Sequence, residues 1–132
     1  MQSFQEVRPL GHITTFGGNP VCCAGAIGGF KFMNKHKLVD RVEEQSKLFK
    51  SLLKHEMIKE VRGIGLLLAV DFGNAELNHN VIDRCIERGL HVDWFLYNEE
   101  SMRICPPFII TNKEIRYACK IILDICKELS AS

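Results

Sequence analysis

No charge of either sign dominates this 132-residue chain, in which 17 Lys and Arg stand against 16 Asp and Glu for a formal net charge of +1. That balance leaves neither the basic surface that binds a polyanion nor an acidic tail, so no nucleic-acid partner is expected. Apolar runs fall short of the roughly 18 residues of a membrane span, and no membrane association is expected. The opening Met1-Gln-Ser-Phe-Gln-Glu-Val-Arg has no apolar core of a secretory signal, so the expected compartment is the cytosol. Cys22, Cys23, Cys85, Cys105, Cys119 and Cys126 include no C-x-x-C pair, and no His pair stands nearby at ligand spacing. A zinc or redox site is therefore not expected. The even count permits a disulfide framework, but buried free thiols in a reducing compartment are the simpler account. Internal repeats and low-complexity segments are absent too.

What is present is ordinary globular composition, 46% hydrophobic and 25% charged, in a length close to one domain. A chain of this size can bury roughly two-thirds of its unfolded surface, enough for a real core. Residues 1–11 are short and mixed, ending in Pro9-Leu10-Gly11, and read as the tail of a preceding element.

The stretch His12-Ile13-Thr14-Thr15-Phe16-Gly17-Gly18-Asn19-Pro20 sets two hydroxyls, a ring and two glycines before a helix start. Asn19 suits an N-cap and Pro20 the first helical position, where its missing N–H costs nothing. Hydroxyls beside free amides at a helix start form a candidate anion site, since the unpaired N–H groups and the dipole favour negative charge. An ordinary capped loop accounts for the same residues.

Beyond Pro20 runs a helix of small residues whose internal glycines each cost about 1 kcal/mol relative to alanine, which points to close packing on a larger surface. Leu38, Val42, Leu48, Phe49, Leu52 and Leu53 follow helical spacing between Lys37 and Lys54. One long helix from Pro20 to Lys54 is expected, or two with a break near Asn34–His36. The period then changes. Ile58 to Phe72 reads as a buried strand with a glycine-bent entry, and Gly73–Asn80 as a loop. Asn80 to Arg88 reads as a helix stopped by Gly89. Leu90–Leu96 is a second strand, Asn98–Ser101 a turn, and Met102–Cys105 a third strand ended by Pro106-Pro107. Thr111-Asn112-Lys113-Glu114 is a capping-box pattern opening a last helix over Ile115, Ala118, Cys119, Ile122, Cys126 and Leu129. The order predicts a small α/β layer, one sheet with helices packed on it.

With the His12–Pro20 string, then Val61-Arg62-Gly63-Ile64-Gly65-Leu66, then Met102-Arg103-Ile104-Cys105-Pro106-Pro107, the chain resembles the class III aminotransferases. These are the pyridoxal-phosphate enzymes that include acetylornithine, ornithine, lysine ε- and 4-aminobutyrate aminotransferases. The resemblance covers essentially the whole chain, in the family's order. It implies the small C-terminal domain of a fold type I pyridoxal-phosphate transferase, about three strands with packed helices, preceded by a long linking helix. Residues 1–36 would end the large cofactor domain and 37–132 would form the small domain.

In the family the catalytic lysine that holds the cofactor precedes this loop. No lysine occurs here before Lys31, so the resemblance implies no catalytic residue in this chain, an internal Met1, and a fragment inactive by itself. It assigns Thr15, with Thr14 assisting, to the cofactor phosphate of a neighbouring subunit, which implies a homodimer. Gly17 and Gly18 would let the backbone approach that phosphate, although turn geometry alone also accounts for them. Arg103 is assigned to the substrate carboxylate, which a planar guanidinium grips better than an ammonium; a surface pair with Glu99 or Glu100 is the alternative. Arg62 is taken as structural, Trp94 and Phe95 as core or interface aromatics, and His12 and His91 carry no assignment. The activity implied is transfer of an amino group from an amine or amino-acid donor to a 2-oxo acid. A pyridoxal-phosphate aminomutase of the same superfamily, or a stand-alone α/β regulatory or interaction domain, would carry similar features. His91–Ser101 departs from the commoner acetylornithine-type stretch, so no named substrate follows.

Overall fold

The computed structural model describes residues 15–131. They fall into two compact units divided after Lys37. In the first, a turn over residues 15–18 leads into helix α1, Pro20–Lys35. Asn19 is its N-cap: its Oδ1 accepts the Val21 N–H at 3.0 Å and the Cys22 N–H at 3.3 Å. Among the described residues of its unit the small-residue helix has no second element to lie on, and none of its residues is buried. Lys37, at φ +50°, closes the unit. The helical stretch therefore takes the two-helix form of the expectation, with the break just past His36.

The second unit starts with a 3-10 turn, Leu38–Arg41, running into helix α2, Val42–Leu52. Strands β1, Glu60–Ile64, and β2, Leu67–Asp71, follow as an antiparallel hairpin. The single strand expected over 58–72 is thus two strands. Gly65 takes φ +56° directly after Ile64, and a two-residue hairpin turn requires such a positive φ. Gly63, at φ +140°, lies so close to β2 that a Cβ there would run into the Leu67 carbonyl oxygen.

Helix α3, Ala75–Glu87, begins well before the expected Asn80. The turn-forming residue Asn74 caps it, accepting the Leu77 N–H at 2.8 Å. Strand β3, Asp93–Phe95, and strand β4, Asn98–Ile104, form a second hairpin with a bulge at Trp94/Phe95. The Asn98–Ser101 stretch is consequently strand, and the chain turns at Leu96-Tyr97. Helix α4, Asn112–Ser130, carries both halves of the expected capping box: Thr111 Oγ1 accepts the Glu114 N–H at 3.2 Å and Glu114 Oε2 accepts the Thr111 N–H at 2.8 Å.

Among the described residues the sheet has four strands in the order β1-β2-β4-β3, all antiparallel, one more than the sequence suggested. Because side chains alternate along a strand, Leu68, Val70, Met102 and Ile104 share one face, and all four are buried. They join Val81, Ile82 and Cys85 of α3, Ile115, Cys119, Ile122, Ile125 and Cys126 of α4, and Phe49 of α2 in one core. Two buried amides tie the layers. Asn78 donates to the Glu99 carbonyl at 2.7 Å and Gln45 to the Ile110 carbonyl at 2.6 Å.

The cysteines divide evenly. Cys85, Cys119 and Cys126 are buried, as expected of free thiols among apolar residues, while Cys22, Cys23 and Cys105 are exposed. Burial pushes the Cys85 and Cys119 thiols up to about 12 and Cys126 to about 11, so none of the three forms a reactive thiolate near neutrality. Among the described residues no helix is long and apolar enough to cross a membrane, and no group of three His, Cys, Asp or Glu could hold a metal.

Replacing Gly63 tests the first hairpin. Gly63→Ala is expected to destabilise the unit by about 2 kcal/mol, from strained φ and collision with β2, read as a lower urea midpoint at unchanged slope. An unchanged midpoint would show that the hairpin does not need the close approach.

Candidate functional site

Pinning the apolar residues of the sheet to the helix side sends the alternate positions to the opposite face. Strand register then sets four side chains in one row across all strands: Arg62 of β1, Ala69 of β2, Arg103 of β4 and Asp93 of β3. Glu60, Asp71 and Ser101 form the adjoining row. Arg62, Ala69 and Arg103 floor a concavity of about 400 Å³, completed by Asn98 and by Phe95, Leu96 and Tyr97 at the β3–β4 turn.

The two arginines have different surroundings. Arg62 Nη1 donates to Asp71 Oδ2 at 2.6 Å and to Glu60 Oε2 at 3.3 Å, and Nη2 to Ser101 Oγ at 3.2 Å. Ser101 is fully buried and its hydroxyl also accepts from Asn98 Nδ2 at 3.1 Å. Hydrogen bonding to Asp71 raises the Arg62 pKa, against a smaller opposing effect of burial. Burial pushes the Asp71 carboxyl up, but the Arg62 hydrogen bond, the Gly73 N–H and the charges of Arg62 and Lys59 outweigh it and hold the group below its ordinary value. Arg62 is structural, as its sequence context suggested, yet it also walls the cleft.

Arg103 is the arginine with fewer partners. Among the described residues it has one partner, Asp93, with Nη2 donating to Oδ2 at 2.7 Å and both side chains 43% exposed. The carboxylate beside Arg103 is thus neither Glu99 nor Glu100. Sequence proximity suggested those two; antiparallel pairing brings in a residue ten positions earlier. The signal that points to Asp93 is the hairpin register, which the polar, turn-type residues at 98–101 obscure. Trp94 is partly exposed and its ring lies 5.1 Å from that of His79, on the face opposite Arg103. His91 is exposed.

In the other unit, Thr15, Phe16, Gly17 and Gly18 form an exposed turn, with Gly18 at φ +79° and the Asn19 N–H donating to the Phe16 carbonyl at 3.1 Å. Thr14 and His12 lie outside the described residues. One element of the expected anion site changes. Asn19 takes the Val21 and Cys22 amides at the helix start, so they are not open to an anion. What remains is the Thr15 hydroxyl and the amides of the turn. Such a donor set suits a supporting contact to a phosphate held mainly by other groups.

Residues 2–126 match the family model for "Aminotransferase class-III". The chain is 32% identical over 127 residues to the acetylornithine aminotransferase of Caldanaerobacter subterraneus subsp. tengcongensis, covering 92% of this chain and 32% of that protein. It is 31% identical over 131 residues to the putrescine aminotransferase of Pectobacterium atrosepticum, covering 95% and 28%. A solved structure of the Toxoplasma gondii ornithine aminotransferase, with pyridoxal phosphate at partial occupancy in its active site, superposes with a TM-score of 0.75 at 32% identity, covering 95% of this chain and 30% of that one. The chain spans about a third of the length of the curated relatives it matches.

The Arg62–Asp71 pair carries a pH signature. A carboxyl whose folded pKa is lowered stabilises the fold above its unfolded pKa, and that contribution is lost as pH falls through the folded value. Unfolding free energy is expected to drop as pH falls below about 4, and less steeply in Asp71→Asn. At neutral pH that variant is expected to lose about 1–2 kcal/mol, modest because Arg62 is partly in solvent. Equal acid profiles for both proteins in urea titrations would refute this.

Proposed function

Because this chain belongs to the class III aminotransferase family, we propose that it is the C-terminal part of a pyridoxal-phosphate-dependent aminotransferase that moves an amino group from an amine or amino-acid donor to a 2-oxo acid. In this reading residues 1–36 end the large cofactor domain and residues 37–132 are the small domain. The observation that carries the reading is Arg103, half-exposed in a cleft on the sheet face opposite the core, with one partner among the described residues on one of its nitrogens. A guanidinium so placed retains N–H donors for the carboxylate that every 2-oxo acid presents.

When bound, pyridoxal phosphate supplies the electron sink for the reaction, while the protein supplies binding and orientation. This chain's share is twofold. Arg103 holds and orients the substrate carboxylate. Thr15, with Thr14, adds hydroxyl hydrogen bonds to the cofactor phosphate of a neighbouring subunit, and Gly17 and Gly18 let the backbone approach, so the intact protein is a homodimer. The lysine that holds the cofactor lies outside this chain, and the 132 residues alone are inactive. The proposed compartment is the cytosol. The relatives act by name on different amines at nearly equal identity, so the resemblance does not select a donor.

The test is turnover by the intact protein with pyridoxal phosphate, an amine donor and a 2-oxo acid, followed by the appearance of a new amino acid and 2-oxo acid pair. An aminomutase would instead isomerise its substrate without that pair. Arg103→Lys is expected to raise KM for the 2-oxo acid about tenfold, with a smaller change in kcat, because the bidentate fork is lost. Thr15→Ala is expected to weaken cofactor retention about tenfold, one charge-assisted hydrogen bond, measured by equilibrium dialysis. Transamination by the 132-residue chain alone would overturn the fragment reading.

A further inference from the structure

Arg103 does not meet its cleft as a bare cation. Asp93 is fixed at two points: Oδ1 accepts the Trp94 N–H at 2.8 Å, and Oδ2 accepts from Arg103 Nη2 at 2.7 Å. Strand pairing places the two residues directly opposite one another. Nothing else among the described residues binds the Arg103 guanidinium, so Nη1, Nε and the second N–H of Nη2 are left for a further partner. The same hairpin that supplies Asp93 also supplies Phe95, Leu96 and Tyr97 to the cleft wall.

A carboxylate arriving at Arg103 therefore meets an ion pair. It is attracted by the guanidinium and repelled by Asp93, and it can use only the donors that Asp93 leaves. We propose that Asp93 is a positioning residue for substrate recognition: it holds the fork of Arg103 over the cleft through Nη2, and its charge keeps the grip on the substrate carboxylate weak. This rests on the reading of Arg103 as the carboxylate-binding group. The physical advantage concerns exchange. An aminotransferase binds and releases carboxylates from one site in alternation, and a tight ground-state grip lowers KM without speeding turnover.

The test titrates the 132-residue chain with sodium acetate against sodium chloride at constant ionic strength, following the Arg103 Nε–H resonance by 15N NMR. Loss of that resonance in Arg103→Lys identifies it. In the parent chain it is expected to show an ordered guanidinium and to shift with acetate. Asp93→Asn keeps an acceptor oxygen and removes the charge, and is expected to bind acetate about two- to fivefold tighter. Asp93→Ala is expected to lose the ordered guanidinium signal and to bind more weakly than Asp93→Asn. Acetate binding by Asp93→Asn no tighter than the parent, or an ordered Arg103 signal surviving in Asp93→Ala, would overturn the role of Asp93 and leave Arg103 standing as the carboxylate site. Absence of any acetate-dependent shift at Arg103 in all variants would overturn both.

Discussion

Burial of Leu68, Val70, Met102 and Ile104 against the helices is the constraint on which the rest of the second unit depends. A one-residue slip in strand pairing would turn this set to solvent, so the core pins the register of β2 against β4, and β1 and β3 pair onto those two. That register in turn assigns the opposite face. Arg62, Ala69, Arg103 and Asp93 line up there because residues two apart on a strand point the same way. The apolar core thereby decides which side chains line the cleft on the other face.

Within the cleft, hydrogen-bond saturation separates two residues of the same type. Arg62 sits between two carboxylates and a buried hydroxyl, and its job is to neutralise Asp71 and join β1 to β4. Arg103 has a single carboxylate on a single nitrogen. The first arrangement resists change, since removing Arg62 would leave the largely buried Asp71 carboxylate without its charge partner. The second is open to a ligand. That contrast comes from packing: Asp71 and Ser101 are buried, whereas Asp93 is half-exposed.

Legibility in the sequence followed the range of the interactions. The last helix was readable because its signals are local: Thr111 and Glu114 are three apart, and the apolar positions recur at helical spacing. The cap at Asn19 was readable for the same reason. The hairpin at Gly65 was hidden inside one long apolar run, since a continuous Leu66–Val70 stretch carries no period that separates two strands from one. At Asn98–Ser101, polar turn-type residues occupy a strand because Ser101 pairs with Asp71 and Asn98 with Phe95 across the sheet. Residue type argued for a turn there, and tertiary pairing overrode it. Asn74 caps helix α3 from within a polar stretch whose composition resembles a loop, so its capping role follows only from the Leu77 N–H that it accepts.

By itself the sequence determined the α/β character, the capped helix ends, the small-residue helix after Pro20, and the motif strings by which the family is recognised. All of these are carried by neighbours along the chain or by residue identity. Tertiary structure alone decided the four-strand order, the identity of the carboxylate at Arg103, and the difference in standing between Arg62 and Arg103. The reason is geometric. An antiparallel sheet joins residues through register, and register is set by which side chains the core can bury, which no local window of sequence contains.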